Sequence, residues 1–188
     1  ERASLGALDC FIKRLGHVVL TVKDFDETFA WYQQRLGLII SDQIVLDNEG
    51  QEQTLGAFTR CNRGEEFVDH HTMFFIHTGK AEFNHAAFEV ADWDVLMHGH
   101  YALKKAGFQH SFGVGKHILG SQVFDYWRNP FKQIHEHQTD GDVLDSSIPH
   151  HDLDLTKGEG GGLPEDGPGA SQWGPSINFG PVGVIRGR

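Results

Sequence analysis

Two stretches of the chain decide its fold: residues 16–38, GHVVLTVKDFDETFAWYQQRLGL, and residues 84–108, NHAAFEVADWDVLMHGHYALKKAGF. They are weak copies of one another at an offset of 68 residues, which aligns His17 with His85. An internal repeat of this length indicates a duplicated supersecondary unit. The chain is therefore expected to contain two modules of the same topology.

Each copy begins with a short strand and continues into a helix. The runs HVVLTV and HAAFEV have the apolar character of strands, and each is followed by an aspartate, Asp24 or Asp92, of the kind that caps helices. The spacing of apolar side chains then predicts helices over about residues 25–36 and 93–106. A glycine follows each helix at the position where a left-handed C-cap is expected.

Three strand candidates follow each helix. They cover residues 38–46, 54–60 and 71–77 in the first copy and residues 108–114, 121–127 and 132–138 in the second. The sequence therefore predicts an α+β fold of two tandem βαβββ modules that form an open, barrel-like cleft. Side chains of both first strands and both last strands should project into this cleft.

The repeat also sets the expected domain boundaries. The chain starts with Glu rather than Met, and residues 1–13 are interpreted as a lead-in, a remnant of a preceding domain. The catalytic body is expected over residues 14–138, with modules of about 14–80 and 81–138. Residues 139–188 are expected to form a long irregular C-terminal arm, because the last 31 residues contain 10 Gly and 4 Pro.

Composition narrows the possible partners. The 188 residues carry a formal charge of −10, which argues against nucleic acid or an anionic membrane surface as a partner. Two distant cysteines, Cys10 and Cys61, form no disulfide framework, so we expect a reducing compartment and a cytoplasmic protein. The arm is expected to lie on the body or on a neighbouring copy in a homo-oligomer.

Several common catalytic motifs are absent from the sequence. There is no phosphate-binding loop of the G-x-x-x-x-G-K-[ST] type, no G-x-S-x-G, and no dinucleotide-binding glycine pattern. These absences argue against a kinase, a serine hydrolase and a Rossmann-type dehydrogenase.

The chain contains 13 histidines, and histidines that converge in the fold would indicate metal or proton chemistry. His17 and His85 occupy matched positions on the first strands, and Glu136 lies on the last strand of the second copy. Two imidazoles and one carboxylate form the triad that suits non-haem Fe(II), because open coordination positions remain for substrate and O2. The last strand of the first copy, HTMFFIHT, has no glutamate, so three protein ligands are expected rather than four.

At this point the sequence resembles the extradiol ring-cleaving catechol dioxygenases of the vicinal oxygen chelate superfamily. The resemblance covers roughly residues 14–138, and its most specific segments lie in the second copy. These are Asn84-His85, then GKHILGSQVFDYWRNP from Gly115 to Pro130, and IHEH from Ile134 to His137. His70-His71-Thr72 resembles the segment that carries the family's second-sphere histidine.

The resemblance implies a cofactor for the triad and roles for three further residues. It implies that the triad binds Fe(II), or Mn(II) as in some members, and that His70 lies beside the O2 position and passes a proton. His70 is preferred to His71 because the His-x-Thr pattern fits the segment. It also implies that His117 and Tyr126 hydrogen-bond the hydroxyl oxygens of the substrate.

The expected activity is the insertion of both atoms of O2 into a catechol-type aromatic, with ring cleavage next to the diol. Two alternatives stay open. A metal-dependent lyase or isomerase of the glyoxalase type shares the fold but normally has a fourth protein ligand. A non-catalytic binding module of the bleomycin-resistance type needs no metal triad.

The sequence departs from the family pattern at two places. The turn before the last strand commonly reads Pro-x-Gly but here is Asn129-Pro130-Phe131-Lys132, and Gly120 stands where relatives often have an acidic residue. Both changes bear on substrate orientation more than on metal binding. Candidate apolar walls for an aromatic substrate are Phe74, Phe75, Phe124 and Trp127.

Overall fold

The computed structural model describes residues 12–48, 50–157, 171–175, 178–179 and 185–186. The first module contains β1 (Ile12–Val22), α1 (Phe25–Leu36), β2 (Leu38–Asn48), β3 (Gln51–Cys61), β4 (Val68–Asp69) and β5 (Met73–His77). The second contains β6 (Glu82–Val90), α2 (Trp93–Lys105), β7 (Gln109–His117), β8 (Val123–Arg128) and β9 (Ile134–Thr139). Beyond it lie β10 (Val143–Leu144), β11 (His151–Asp154), a 3-10 turn (Leu155–Lys157), β12 (Ser171–Trp173), β13 (Asn178–Phe179) and β14 (Ile185–Arg186).

Both helices begin and end where local chemistry requires. The carboxylate of Asp24 accepts a hydrogen bond from Glu27 N, and that of Asp92 accepts one from Val95 N. Each bond satisfies one of the free N–H groups of the first turn. Gly37 ends α1 in the left-handed conformation, with φ of 66°.

One open sheet of ten strands joins the two modules. Its order is β11-β2-β3-β5-β1-β6-β9-β8-β7-β12, so β1 and β6 pair at the centre. The remaining strands of each module follow outwards except β4, which pairs with β10 in a separate two-stranded sheet. The β1–β6 pair is antiparallel, whereas β5 on β1 and β9 on β6 are parallel. The predicted α+β fold of two βαβββ modules around an open cleft is confirmed.

Alternation along the strands separates a cleft face from a helix face. In the first module Phe75 packs with Val22 and Phe25 beneath α1, whereas Phe74 packs with Val19 on the cleft face. In the second module Leu96 of α2 packs on Val90 and Val123. The catalytic candidates must therefore lie on the face that the helices leave open.

The predicted irregular arm contributes strands to both edges of the sheet. β11 pairs in parallel with β2, and β12 pairs antiparallel with β7. Leu153 and Asp154, within the predicted arm, are buried, and Leu153 joins the cleft-face core. The predicted lead-in falls largely outside the described residues, and the domain boundaries stay a prediction.

No helix in the described part of the chain is long and apolar enough to cross a membrane.

The turn between β8 and β9 contains a lysine, Lys132, in a backbone conformation that favours glycine. Lys132 stands at the position where the resemblance leads to an expectation of Gly, and its φ is 68°. The Asn129 carboxamide oxygen holds the turn by accepting hydrogen bonds from Phe131 N and Gln133 N. The turn forms without glycine, at the expense of left-handed strain at Lys132.

Lys132→Gly should therefore raise the free energy of unfolding by about 0.5 kcal/mol. Relief of about 1–2 kcal/mol of left-handed strain is partly offset by the greater freedom of glycine in the unfolded chain. Lys104→Gly, in α2, is the matched control and should lower that free energy by about 0.5–1 kcal/mol. Urea unfolding of both variants checks the signs, and a destabilised Lys132→Gly protein would contradict this account.

Candidate metal centre

The site is built from one row of residues that crosses four strands. His17 of β1 pairs with Ala87 of β6, Ala87 with Glu136 of β9, and Glu136 with Tyr126 of β8. Paired residues point to the same face of a sheet. His85 precedes Ala87 by two positions and therefore points to that face as well.

The three predicted ligands meet in space. His17 Nε2 lies 3.2 Å from Glu136 Oε2, and His85 Nε2 lies 3.3 Å from the same oxygen. The side chains are 4%, 12% and 1% exposed for His17, His85 and Glu136, so the cluster is closed to bulk water on most sides. One ligand atom from each residue lies within 4.8 Å of the others.

Electrostatics sets the cluster in the protonation state that metals bind. Burial raises the pKa of Glu136, but the contacts with His17 and His85 outweigh burial and hold that pKa well below its ordinary range. Burial lowers the pKa of His85, although Glu136 opposes that shift. At neutral pH the centre therefore presents an ionised carboxylate and an uncharged His85 imidazole.

The residues present fit a divalent metal. Among the described residues, neither oxygen of Glu136 nor Nε2 of His85 has a well-aligned hydrogen-bond partner, although all are buried. Buried polar atoms are almost always satisfied, so atoms left open together call for an ion. Two imidazoles and a carboxylate suit Fe, Mn, Ni or Zn.

The duplication explains why the centre has three ligands. The residue of the first module that corresponds to Ala87 is Val19, which pairs with Phe74, so Phe74 occupies the place of Glu136. Phe58 pairs with Phe74 and their rings stack at 3.9 Å. An apolar stack in the first module thus stands where the second has a carboxylate, and within the described chain the cluster has three members.

His117 and Tyr126, which the sequence predicts as substrate-binding groups, lie together beside the cluster. His117 Nε2 is 3.0 Å from Tyr126 Oη and 3.9 Å from Glu136 Oε1. Burial and the nearby Glu136 raise the pKa of Tyr126 well above its ordinary value. The phenol therefore remains a hydrogen-bond donor at neutral pH.

His70 and His71 are adjacent in the sequence, but only His71 lies directly beside the cluster. The ring of His71 lies 4.1 Å from that of His17 by centroids, directly beside the cluster. His70 lies behind, with Nδ1 3.0 Å from His71 Nδ1 and Nε2 bonded to the carboxylate of Asp42. Burial, with nearby His17 and His70, lowers the pKa of His71 well below its ordinary value.

Sequence reasoning missed two residues that contact the His70–His71 pair, Asp42 and Gln122. Asp42 comes from β2, far from the repeat's aligned positions, and Gln122 Nε2 lies 3.4 Å from His71 Nδ1. The feature of the sequence that could have indicated these contacts is Gly120, which stands where an acidic residue was expected. A Cβ there would lie 2.7 Å from His70 Nδ1 and 2.5 Å from Gln122 Oε1, so an acidic residue would not fit.

Of the four apolar side chains expected to wall the pocket, two lie on the cleft face. Phe124 stacks on His117 at 4.1 Å, and Phe74 lies in the first module's half of the cleft. Phe75 packs beneath α1, and the indole of Trp127 bonds Asp125 on the helix face. That part of the expectation was wrong, because strand alternation sends neighbouring aromatics to opposite faces.

Acidification should destabilise the metal-free protein through Glu136. A carboxylate whose pKa is depressed by folding contributes stability that is present above its unfolded pKa, about 4.3, and lost as pH falls. Glu136→Gln should therefore flatten the fall of the melting temperature below about pH 4.5. Melting in a chelator from neutral to acidic pH checks this, with the exposed Glu65→Gln as control; identical slopes in all three proteins would contradict it.

Comparison with known proteins places this centre in a family. Over 132 residues the chain is 30% identical to metapyrocatechase 2 of Cupriavidus necator, covering 70% of this chain and 38% of that protein. The chain thus spans well under half the length of this relative.

Solved structures share the fold at lower identity. A Mn(II)-bound glyoxalase from Novosphingobium aromaticivorans matches with a TM-score of 0.70 and 20% identity, over 98% of this chain and 54% of that one. The 2,3-dioxygenase LapB from Pseudomonas sp. KL28 matches with a TM-score of 0.67 and 14% identity, over 77% and 48%. Residues 14–132 match the model of one family, and the chain therefore belongs to the Glyoxalase/Bleomycin resistance protein/Dioxygenase superfamily.

Proposed function

We propose that the chain carries the catalytic centre of an Fe(II)-dependent extradiol dioxygenase, which inserts both atoms of O2 into a catechol-type aromatic and opens the ring next to the diol. The observation that carries this proposal is the three-ligand cluster of His17, His85 and Glu136 with the His117–Tyr126 pair beside it. Three ligands leave adjacent coordination positions open. The 30% identity to a metapyrocatechase supports the same chemistry.

In this proposal the metal is held by His17 Nε2, His85 Nε2 and the Glu136 carboxylate. An Fe(II) ion held by these residues would supply a common binding point for the diol and O2 and a route for charge between them. All three ligands lie on strands rather than loops, so their positions are set by the sheet.

The protein's own side chains orient the catechol and manage its protons. Tyr126 remains protonated and donates a hydrogen bond to a hydroxyl oxygen of the substrate. His117, in contact with Tyr126, accepts the proton that this hydroxyl gives up. The aromatic face of Phe124, against which Phe112 stacks at 5.1 Å, supplies an apolar wall for the ring.

On the first-module side, the His70–His71 pair supplies the proton carrier. The sequence pattern assigned this role to His70, and the geometry adds His71 as the imidazole nearest the cluster. Asp42 orients His70, and His70 contacts His71, so a proton can pass along the line Asp42, His70, His71. The low pKa of His71 keeps its imidazole uncharged at neutral pH, so in this proposal it takes up a proton from His70 only transiently before passing it to reacting oxygen.

A glyoxalase-type lyase or isomerase is the second candidate, and the Mn(II)-bound glyoxalase neighbour favours it. Anaerobic reconstitution with Fe(II) or Mn(II), followed by O2 uptake and absorbance with a panel of catechols, separates the two. The proposal expects O2 consumption and a yellow ring-opened product. Absence of both with every catechol would overturn it.

The ligand set is tested by Glu136→Ala against Tyr126→Phe. Glu136→Ala removes the anionic ligand and should weaken Fe(II) binding more than about 100-fold, beyond the effect of losing a group that merely supports a ligand. Tyr126→Phe should keep iron and weaken catechol binding by about 10-fold, the cost of one hydrogen bond. Iron content after desalting and catechol titrations measure both, and full iron in Glu136→Ala would show that the ligands are wrong.

The proton path is tested by His71→Gln, His70→Gln and Asp42→Asn. All three should keep iron. His71→Gln should slow turnover by about 100-fold or more, as removal of an acid–base group does. His70→Gln and Asp42→Asn should slow it less and shift the pH profile together, because both act through His71. His77→Gln, on the far end of β5, is the control, and turnover in His71→Gln equal to that of this control would contradict the path.

A further inference from the structure

A second cluster of histidines and a carboxylate lies on the helix face of the second module, away from the cleft. Asp125 of β8 is fully buried there. His110 Nε2 of β7 lies 2.8 Å from Asp125 Oδ1, and His100 Nδ1 of α2 lies 3.1 Å from Asp125 Oδ2. The three ligand atoms lie within 4.8 Å of one another.

Neighbouring residues orient the side chains of the cluster, as they do around metal sites. The indole N–H of Trp127 donates to Asp125 Oδ2 and fixes the orientation of the carboxylate. His137 lies opposite Asp125 across the β8–β9 ladder, and its Nδ1 is buried without a hydrogen-bond partner among the described residues. Three histidines from three different elements therefore surround one buried anion.

We propose that His100, His110 and Asp125 bind a second divalent transition metal, of which Zn2+ is the representative. Imidazole nitrogen and carboxylate oxygen are ordinary zinc ligands. His100 would bind through Nδ1 and His110 through Nε2, the nitrogens that now face the carboxylate, and each would keep its proton on the other nitrogen. The His110 side chain is 34% exposed and His100 15%, so the ion enters, and a water completes its coordination, from the solvent side.

This site is independent of the proposed catalytic centre. The ladder between β8 and β9 presents Tyr126 and Glu136 to the cleft and Asp125 and His137 to the opposite face. A metal at the second site joins α2, which packs on the sheet through apolar contacts of Leu96, to the hydrogen-bonded strand pair β7 and β8. Its consequence is stability, because an ion that binds only the folded chain raises the melting temperature.

Zinc content and melting temperature test the proposal in four proteins: the unaltered chain, His110→Asn, His98→Asn and Glu136→Ala. His98 lies exposed on the same helix outside the cluster, so its variant removes a histidine without touching the site. After loading with Zn2+ and gel filtration, His110→Asn should hold about one equivalent less zinc than His98→Asn. Zinc should raise the melting temperature of His98→Asn and Glu136→Ala through the intact second site, and by less in His110→Asn.

Two outcomes would overturn the proposal. In the first, zinc content and the zinc-induced rise in melting temperature are the same in His110→Asn and His98→Asn, which leaves the cluster as a hydrogen-bonded network only. In the second, Glu136→Ala holds no zinc at all, which leaves the cleft as the one binding site. Failure of the dioxygenase proposal is separate, because the zinc that depends on His110 is counted without any substrate. Melting in a chelator shows that His110→Asn folds.

Discussion

The register between β1 and β6 is the constraint on which the rest of the structure depends. It places His17 opposite Ala87 and so directs the histidines of both modules to one face. Because side chains alternate along a strand, a slip of one residue would send one module's histidine to the helix face and disperse the ligands. The parallel pairing of β9 on β6 then brings Glu136 next to Ala87, two strands from His17. No loop has to fold correctly for the three ligands to meet.

Concentrating polar groups at the centre of a sheet carries a cost that a bound ion offsets. A buried carboxylate without well-aligned donors is unfavourable, and in the metal-free protein the charge of Glu136 is compensated chiefly by its contacts with His17 and His85. Asp125 shows the other solution, with donors from Trp127, His100 and His110 that satisfy it directly. In the metal-free protein the same two strands thus present a carboxylate without well-aligned donors on one face and a hydrogen-bonded carboxylate on the other, so a metal would supply the missing partner of Glu136 but would replace the contacts of His100 and His110 with Asp125.

The sequence alone predicts the framework and the three ligand positions, because these follow from the repeat and from strand alternation. His17 and His85 are matched by the offset, and Glu136 falls on the corresponding last strand. Alternation gives two faces but does not say which is the cleft, so Phe75 and Trp127 were assigned to the wrong one. The Asp42–His70 contact joins strands whose proximity arises only on folding. The edge strands β11 and β12 were missed because segments of three or four residues have no measurable period.

The two modules present different side chains to the cleft at matched positions. In the first module Phe74 and Phe58 stand at the positions that correspond to the carboxylate and the phenol, and their stacked rings fill that half with apolar surface. The second keeps Glu136 and Tyr126 at those positions. Apolar packing in one half holds His71 against His17, since the ring of Phe58 also lies 4.9 Å from that of His71. In the proposed function the substrate lies on the second-module side, where His117 and Tyr126 are, and the proton path on the first-module side. In the proposed function, a fourth protein ligand in place of Phe74 would occupy one of the coordination positions that the diol and O2 need, so the difference between the modules keeps that position open.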